Sequence, residues 1–269
     1  MWGSVTKDPI VNFQSDISIF MSLYFILILF FLILKCIIDL NSKINYDYSN
    51  SSIIFIYMIF LSIFTGLFIF MACLKFTKNE LVCSKVNFNV ATYSFIIPYI
   101  IIYFTGVTLL FFFPGWVRGF SNTYGSSISK YISGFQEIIT KNDNPTGQNR
   151  QFLKNFYMDP TKLFNELRID NVKYNYKDDT FEWDDLEEIV NTLESDDTTI
   201  RDRYRSTEFR KTLYNYIVIK NNVGSSIWVY ILGTITLLTS VTHILSTSCN
   251  NTVEDDDEFK KNIIKKLSN

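Results

Sequence analysis

The chain has 269 residues and a formal charge of only -2, and no Lys/Arg cluster exceeds two adjacent residues, so nothing supports a nucleic-acid partner. It is 48% hydrophobic and 17% aromatic, with apolar residues gathered in long blocks, which points to a membrane protein. Its four cysteines, Cys36, Cys73, Cys83 and Cys249, form no CxxC pair, which disfavours zinc and thioredoxin-type chemistry.

In chain order, residues 1–16 are short and polar. Ile17 to Leu34 is apolar except for Ser18 and Ser22, and Lys35 and Asp39 close it. A span needs about 20 residues, so 17–38 qualifies, with Lys35 snorkelling to the interface. The same reasoning gives spans at 53–74, closed by Lys75 and Lys78, and at 90–113, with Pro98 inside. Proline is tolerated in membrane helices. The connections 39–52 and 75–89 are short, so consecutive spans should pack antiparallel.

The third span runs into Pro114-Gly115-Trp116-Val117-Arg118-Gly119-Phe120-Ser121-Asn122-Thr123-Tyr124-Gly125. Pro114-Gly115 should stop the helix, because proline lacks a donor and glycine tolerates a turned backbone. Trp116 and Arg118 suit the headgroup layer. Ser121, Asn122 and Thr123 are candidate N-caps for a helix over 123–140, whose apolar face would be Ile128, Tyr131, Ile132, Phe135, Ile138 and Ile139. This joint should act as an elbow that aims a domain away from the bilayer.

Residues 114–225 have the length of a small soluble domain. Asn142 to Gly147 reads as a loop, and Asp159-Pro160 as a helix start. Val172, Tyr174 and Tyr176, then Phe181 and Trp183, alternate with polar residues and predict a β-hairpin. Asp184 and Glu187 resemble a capping box ahead of a helix buried through Leu186, Ile189, Val190 and Leu193. Phe209, Leu213, Tyr216 and Ile217 mark another buried helix face, leading through Asn221-Asn222-Val223-Gly224 to a fourth span at 226–248. A charged tail follows over 249–269. The predicted fold class is therefore membrane α-helical: four spans, with a small α+β soluble domain between spans three and four. The membrane domain is 1–113.

Four spans put both termini on one side. Lys7, Lys75, Lys78, Lys85 and the tail lysines Lys260, Lys261, Lys265 and Lys266 share that side, which favours cytosolic termini. Counting Arg118, Lys130, Arg210, Lys211 and Lys220 on the flanks of the long loop nearly evens the tally. The sequons at Asn50 and Asn250 lie on opposite sides and hug the membrane, so neither should carry glycan.

Little in the chain resembles a reaction centre. The only histidine, His243, lies in span four on a stripe with Gly233, Thr236, Thr239, Ser240, Ser246 and Thr247. Such a stripe lines a water path or packs against a neighbouring helix; small and hydroxylated residues favour packing. Asp184, Asp185, Glu187 and Glu188 lack the spacing and glycine of a calcium loop and read as a solvated helix start. A Ser-His-Asp triad would need His243 at a place the soluble serines do not reach. No P-loop or GxGxxG occurs. The chain is not expected to be an enzyme, and no cofactor or metal is expected. The cysteines are expected as free thiols, a Cys83–Cys249 bridge being the alternative. The large loop lacks the cysteines that tetraspanins need there.

The string Pro114-Gly115-Trp116-x-Arg118-x-Phe120-Ser121-Asn122-Thr123-x-Gly125 resembles a juxtamembrane segment in multi-span membrane proteins of large nucleo-cytoplasmic DNA viruses. The likeness covers about a dozen residues and the adjoining span. It implies a component of a virion's internal membrane, located also in host endomembranes, whose partners are the bilayer and capsid or other virion membrane proteins, with a homo-oligomer as an option. The expected function is structural: an anchor presenting a soluble domain. The alternative is an oligomeric channel or transporter using the polar face of span four.

Overall fold

A computed structural model describes residues 9–41, 50–79, 82–83, 85–135, 172–175, 180–183 and 206–247. Four of its helices are long and apolar enough to cross a membrane. The first two are α1 (Pro9–Asn41) and α2 (Asn50–Thr77). Each exceeds the predicted span at both ends. The third is composite: α3 (Phe88–Pro98), a π-helical turn Tyr99–Phe104 and α4 (Thr105–Phe112). Asn87 caps α3, its side chain accepting from the Val90 N–H at 3.2 Å. The wide turn follows Pro98, which removes a donor from the ladder. Thr105 Oγ1 donates to the Ile100 carbonyl five residues back, at 2.9 Å.

Phe113 breaks the helix, with φ -121° and ψ 68°. Helical backbone then resumes as a 3-10 turn Pro114–Val117, α5 (Arg118–Phe120), a second π-helical turn Ser121–Gly125 and α6 (Ser126–Ile132). Gly134, with φ +72°, ends the run in the left-handed conformation common after helix C-termini. The helix therefore starts at Pro114 rather than Thr123, and α6 ends at Ile132 rather than 140. Ser121, Asn122 and Thr123 do not act as N-caps: they lie inside the helical run, and no side-chain cap bond is made there.

Strands β1 (Val172–Asn175) and β2 (Thr180–Trp183) form the predicted antiparallel hairpin, with Tyr174 opposite Phe181. The helix predicted to start at Asp159-Pro160, the helix predicted through Leu186 to Leu193, the acidic group Asp184 to Glu188 and the tail lie outside the described residues.

The fourth apolar helix, α7, runs from Thr207 to Ser246 without interruption. The boundary predicted at 225/226 thus falls inside one helix. At 1.5 Å per residue its 40 residues span about 60 Å, twice a hydrocarbon core of about 30 Å.

The chain divides into two compact units. Unit 1 comprises residues 1–31, 58–113 and 229–269; unit 2 comprises 32–57 and 114–228. Unit 1 has a core of Phe13, Ile69, Ala72, Phe76, Ala91, Leu237, Val241 and Ile244. The chain's two alanines are both fully buried there, where small side chains let membrane helices approach. Ile26, Phe30, Ile33, Phe60, Leu67 and Ile101 point outward, as lipid-facing residues do. Unit 2 is organised by α7, which buries the expected face Phe209, Leu213, Tyr216 and Ile217.

Candidate functional site

The joint is a helix crossing within unit 2. Segment 114–132 packs on the first half of α7 through small residues. Ser121, Gly125, Ser126 and Ser129 are buried. A Cβ at Gly125 would lie 2.4 Å from the Lys220 carbonyl oxygen, and one at Gly224 would lie 2.7 Å from the Ser121 nitrogen. Only glycine permits backbones this close.

Hydrogen bonds tie the crossing together. Ser121 Oγ donates to Asn221 Oδ1 at 3.0 Å, and Lys220 Nζ donates to Asn122 Oδ1 at 3.2 Å. The Ser126 and Tyr216 hydroxyls are 2.8 Å apart. Trp228 Nε1 donates to the Trp116 carbonyl at 2.9 Å, and the Phe120 ring meets the Trp228 ring edge-on at 5.2 Å. Phe135 stacks on Tyr216 at 4.7 Å. Trp116, Phe120, Ser121, Asn122 and Gly125 therefore converge on α7. Thr123 Oγ1 instead donates to its own helix, at the Gly119 carbonyl. Gly115 is exposed, with open space around its Cβ position and no left-handed backbone, so the turn does not require glycine there.

The apolar stripe predicted for this helix is mostly turned outward among its described residues. Phe135 is buried, but Ile128, Tyr131 and Ile132 are exposed. Sequence periodicity finds an apolar stripe correctly and says nothing about which face a neighbouring helix takes.

A second polar cluster in unit 2 was not anticipated. Lys35 does not snorkel. Its Nζ donates to Asp39 Oδ2 at 3.3 Å and to Asn222 Oδ1, and it lies 5.9 Å from the centre of the Tyr57 ring. Asn222 Nδ2 donates to the same Asp39 oxygen at 2.8 Å. The amide thus accepts from the cation and donates to the anion, so a partly buried ion pair is bridged by a buried amide. The polar triplet Lys220-Asn221-Asn222 between apolar stretches was the available signal; by composition it reads as a break between helices.

The polar face predicted for span four divides. Gly233, Thr236 and Ser240 face inward in unit 1, whereas Thr239 and His243 are exposed. Gly233 accommodates the phenol of Tyr24: a Cβ there would lie 2.0 Å from Tyr24 Oη, which donates to the Val229 carbonyl at 3.1 Å. The buried hydroxyls of Thr65 and Tyr103 make no hydrogen bond among the described residues. Thr236 Oγ1 turns back to the Leu232 carbonyl, and the buried Ser240 Oγ likewise makes no hydrogen bond there. His243 Nδ1 is 2.9 Å from Ser94 Oγ. The contacts of Tyr24 with Gly233 and Val229, and of Ser94 with His243, join helix to helix.

Among the described residues, no three His, Cys, Asp or Glu groups converge as a metal site would require. Cys36 and Cys73 are free, as expected. Cys83 is disulfide-bonded, which corrects the expectation of free thiols throughout; its partner lies outside the described residues. No family model, curated protein or solved structure matches this chain.

Proposed function

We propose that this protein is a structural anchor. Its four apolar helices fix it in a bilayer, and the residues between 136 and 205, including the β1–β2 hairpin of a small α+β soluble domain, are presented to protein partners. The observation that carries this reading is the helix crossing. The two chain ends that enter and leave 136–205 are clamped together by Gly125 against Lys220 and by Gly224 against Ser121. Such a clamp fixes the position of whatever it holds, and its groups bond to one another rather than converging on a reacting atom.

The juxtamembrane resemblance adds the setting: an internal virion membrane, with capsid or other membrane proteins as partners. The protein is not an enzyme on this reading. A channel along span four is disfavoured, because Gly233 is filled by Tyr24 and the Thr236 hydroxyl is spent on its own helix. The test is crosslinking of purified virions followed by mass spectrometry. Crosslinks from 136–205 to capsid or membrane proteins are expected. Absence of the chain from virions, or ion flux through liposomes carrying it alone, overturns the reading.

A further inference from the structure

We infer that the exposed face of segment 114–132 is a lipid-binding surface that seats on anionic headgroups. The inference rests on the reading of the four apolar helices as membrane spans. It starts from an inverted pattern of burial. The segment hides Ser121, Gly125 and Ser129 against α7 and turns Trp116, Tyr124, Ile128 and Tyr131 outward, at 52%, 62%, 42% and 81% exposure. A helix washed by water on that side would be arranged the other way round. Tryptophan and tyrosine are also the aromatics that favour the headgroup layer over the hydrocarbon interior.

The hydroxyls on this face behave as those in lipid do. Thr123 donates to the Gly119 carbonyl at 2.8 Å and Ser127 to the Thr123 carbonyl at 3.1 Å, each four residues back. The outward hydroxyls of the apolar helices do the same: Thr108 to Phe104 at 2.7 Å and Thr242 to Leu238 at 2.9 Å. A hydroxyl satisfied by its own backbone needs no water.

Charge then selects the lipid. Between Pro114 and Phe135 the sequence carries Arg118 and Lys130 and no acidic residue. Basic residues near a bilayer surface are drawn to anionic headgroups. Placement agrees, because only Phe113 separates the end of α4 from Pro114, and the two Cα–Cα steps reach at most about 7 Å. The segment thus begins where a span ends.

The test incorporates the photocrosslinker p-benzoylphenylalanine singly at Tyr124, Ile128 or Tyr131 of the full chain. Ile101, 66% exposed on the third span, is the control position. The chain is reconstituted in vesicles of phosphatidylcholine or of an equal mixture with phosphatidylserine, and adducts are read by mass spectrometry. Lipid adducts are expected at all four positions. In the mixed vesicles, phosphatidylserine should be enriched at the three segment positions relative to Ile101, by about five-fold for each basic residue at the headgroups. Arg118→Gln with Lys130→Gln should remove the enrichment while lipid adducts persist. Adducts to a second copy or to residues 136–205 would show a protein-covered face and overturn the proposal. So would no adduct at the three positions while Ile101 labels lipid. Failure at Ile101 as well would sink the membrane reading beneath it.

Discussion

Adding one methyl group to Gly125 tests the helix crossing. Gly125→Ala puts a Cβ 2.4 Å from the Lys220 carbonyl oxygen, about 1 Å inside ordinary contact. The Cβ is fixed by helical backbone and the oxygen belongs to it, so no side-chain rotation relieves the clash and the helices must separate. Overpacking of this kind costs about 1–3 kcal/mol. Separation also strains the flanking Ser121–Asn221 and Ser126–Tyr216 bonds, each worth about 1 kcal/mol net. A loss of about 2–4 kcal/mol follows, less whatever the better helix propensity of alanine returns, about 1 kcal/mol. Gly119→Ala is the internal control. It lies six residues earlier on the same segment with nothing within 4 Å of its Cβ, and the propensity gain should make it neutral or slightly stabilising. Reversible unfolding in mixed detergent micelles, followed by circular dichroism, measures both. Equal shifts for the two variants would refute the close approach.

Other consequences can be checked separately. Asn222→Leu removes the amide shared by Lys35 and Asp39 and should destabilise by about 1.5–3 kcal/mol, as expected for bonds to charged groups. An effect below about 0.5 kcal/mol would mean that the ion pair stands alone. Gly233→Ala should displace Tyr24, and Tyr24→Leu in the same chain should recover part of the loss; strictly additive effects would show that the two do not touch. Cys83 should react with a mass-tagged maleimide only after reduction, whereas Cys36 and Cys73 should react in the unfolded chain without it. Labelling of Cys83 before reduction would refute the disulfide. Protease added to one side of sealed vesicles should leave a fragment covering most of 114–225, and early cleavage throughout 126–220 from that side would remove the case for a folded domain there.

The sequence was enough where a structural feature depends on its own residues. Four apolar runs predict four long helices, because an uninterrupted block of Ile, Leu and Phe can be satisfied in a bilayer only by hydrogen bonding its own backbone. Alternation around Tyr174 and Phe181 identifies a hairpin, and Pro114 marks the break that opens at Phe113. Tertiary structure decided whatever depends on a partner far along the chain. Lys220-Asn221-Asn222 looks like the end of a helix until Asn122, Ser121 and Asp39, roughly 100 to 180 residues earlier, supply its hydrogen bonds. Ser121 and Asn122 have the chemistry of caps but spend it on α7, because Gly125 and Gly224 bring the two backbones close enough. For the same reason Ile128 and Tyr131 form a stripe visible in the sequence, but only the small residues on the opposite side, meeting α7, determine that the stripe faces outward.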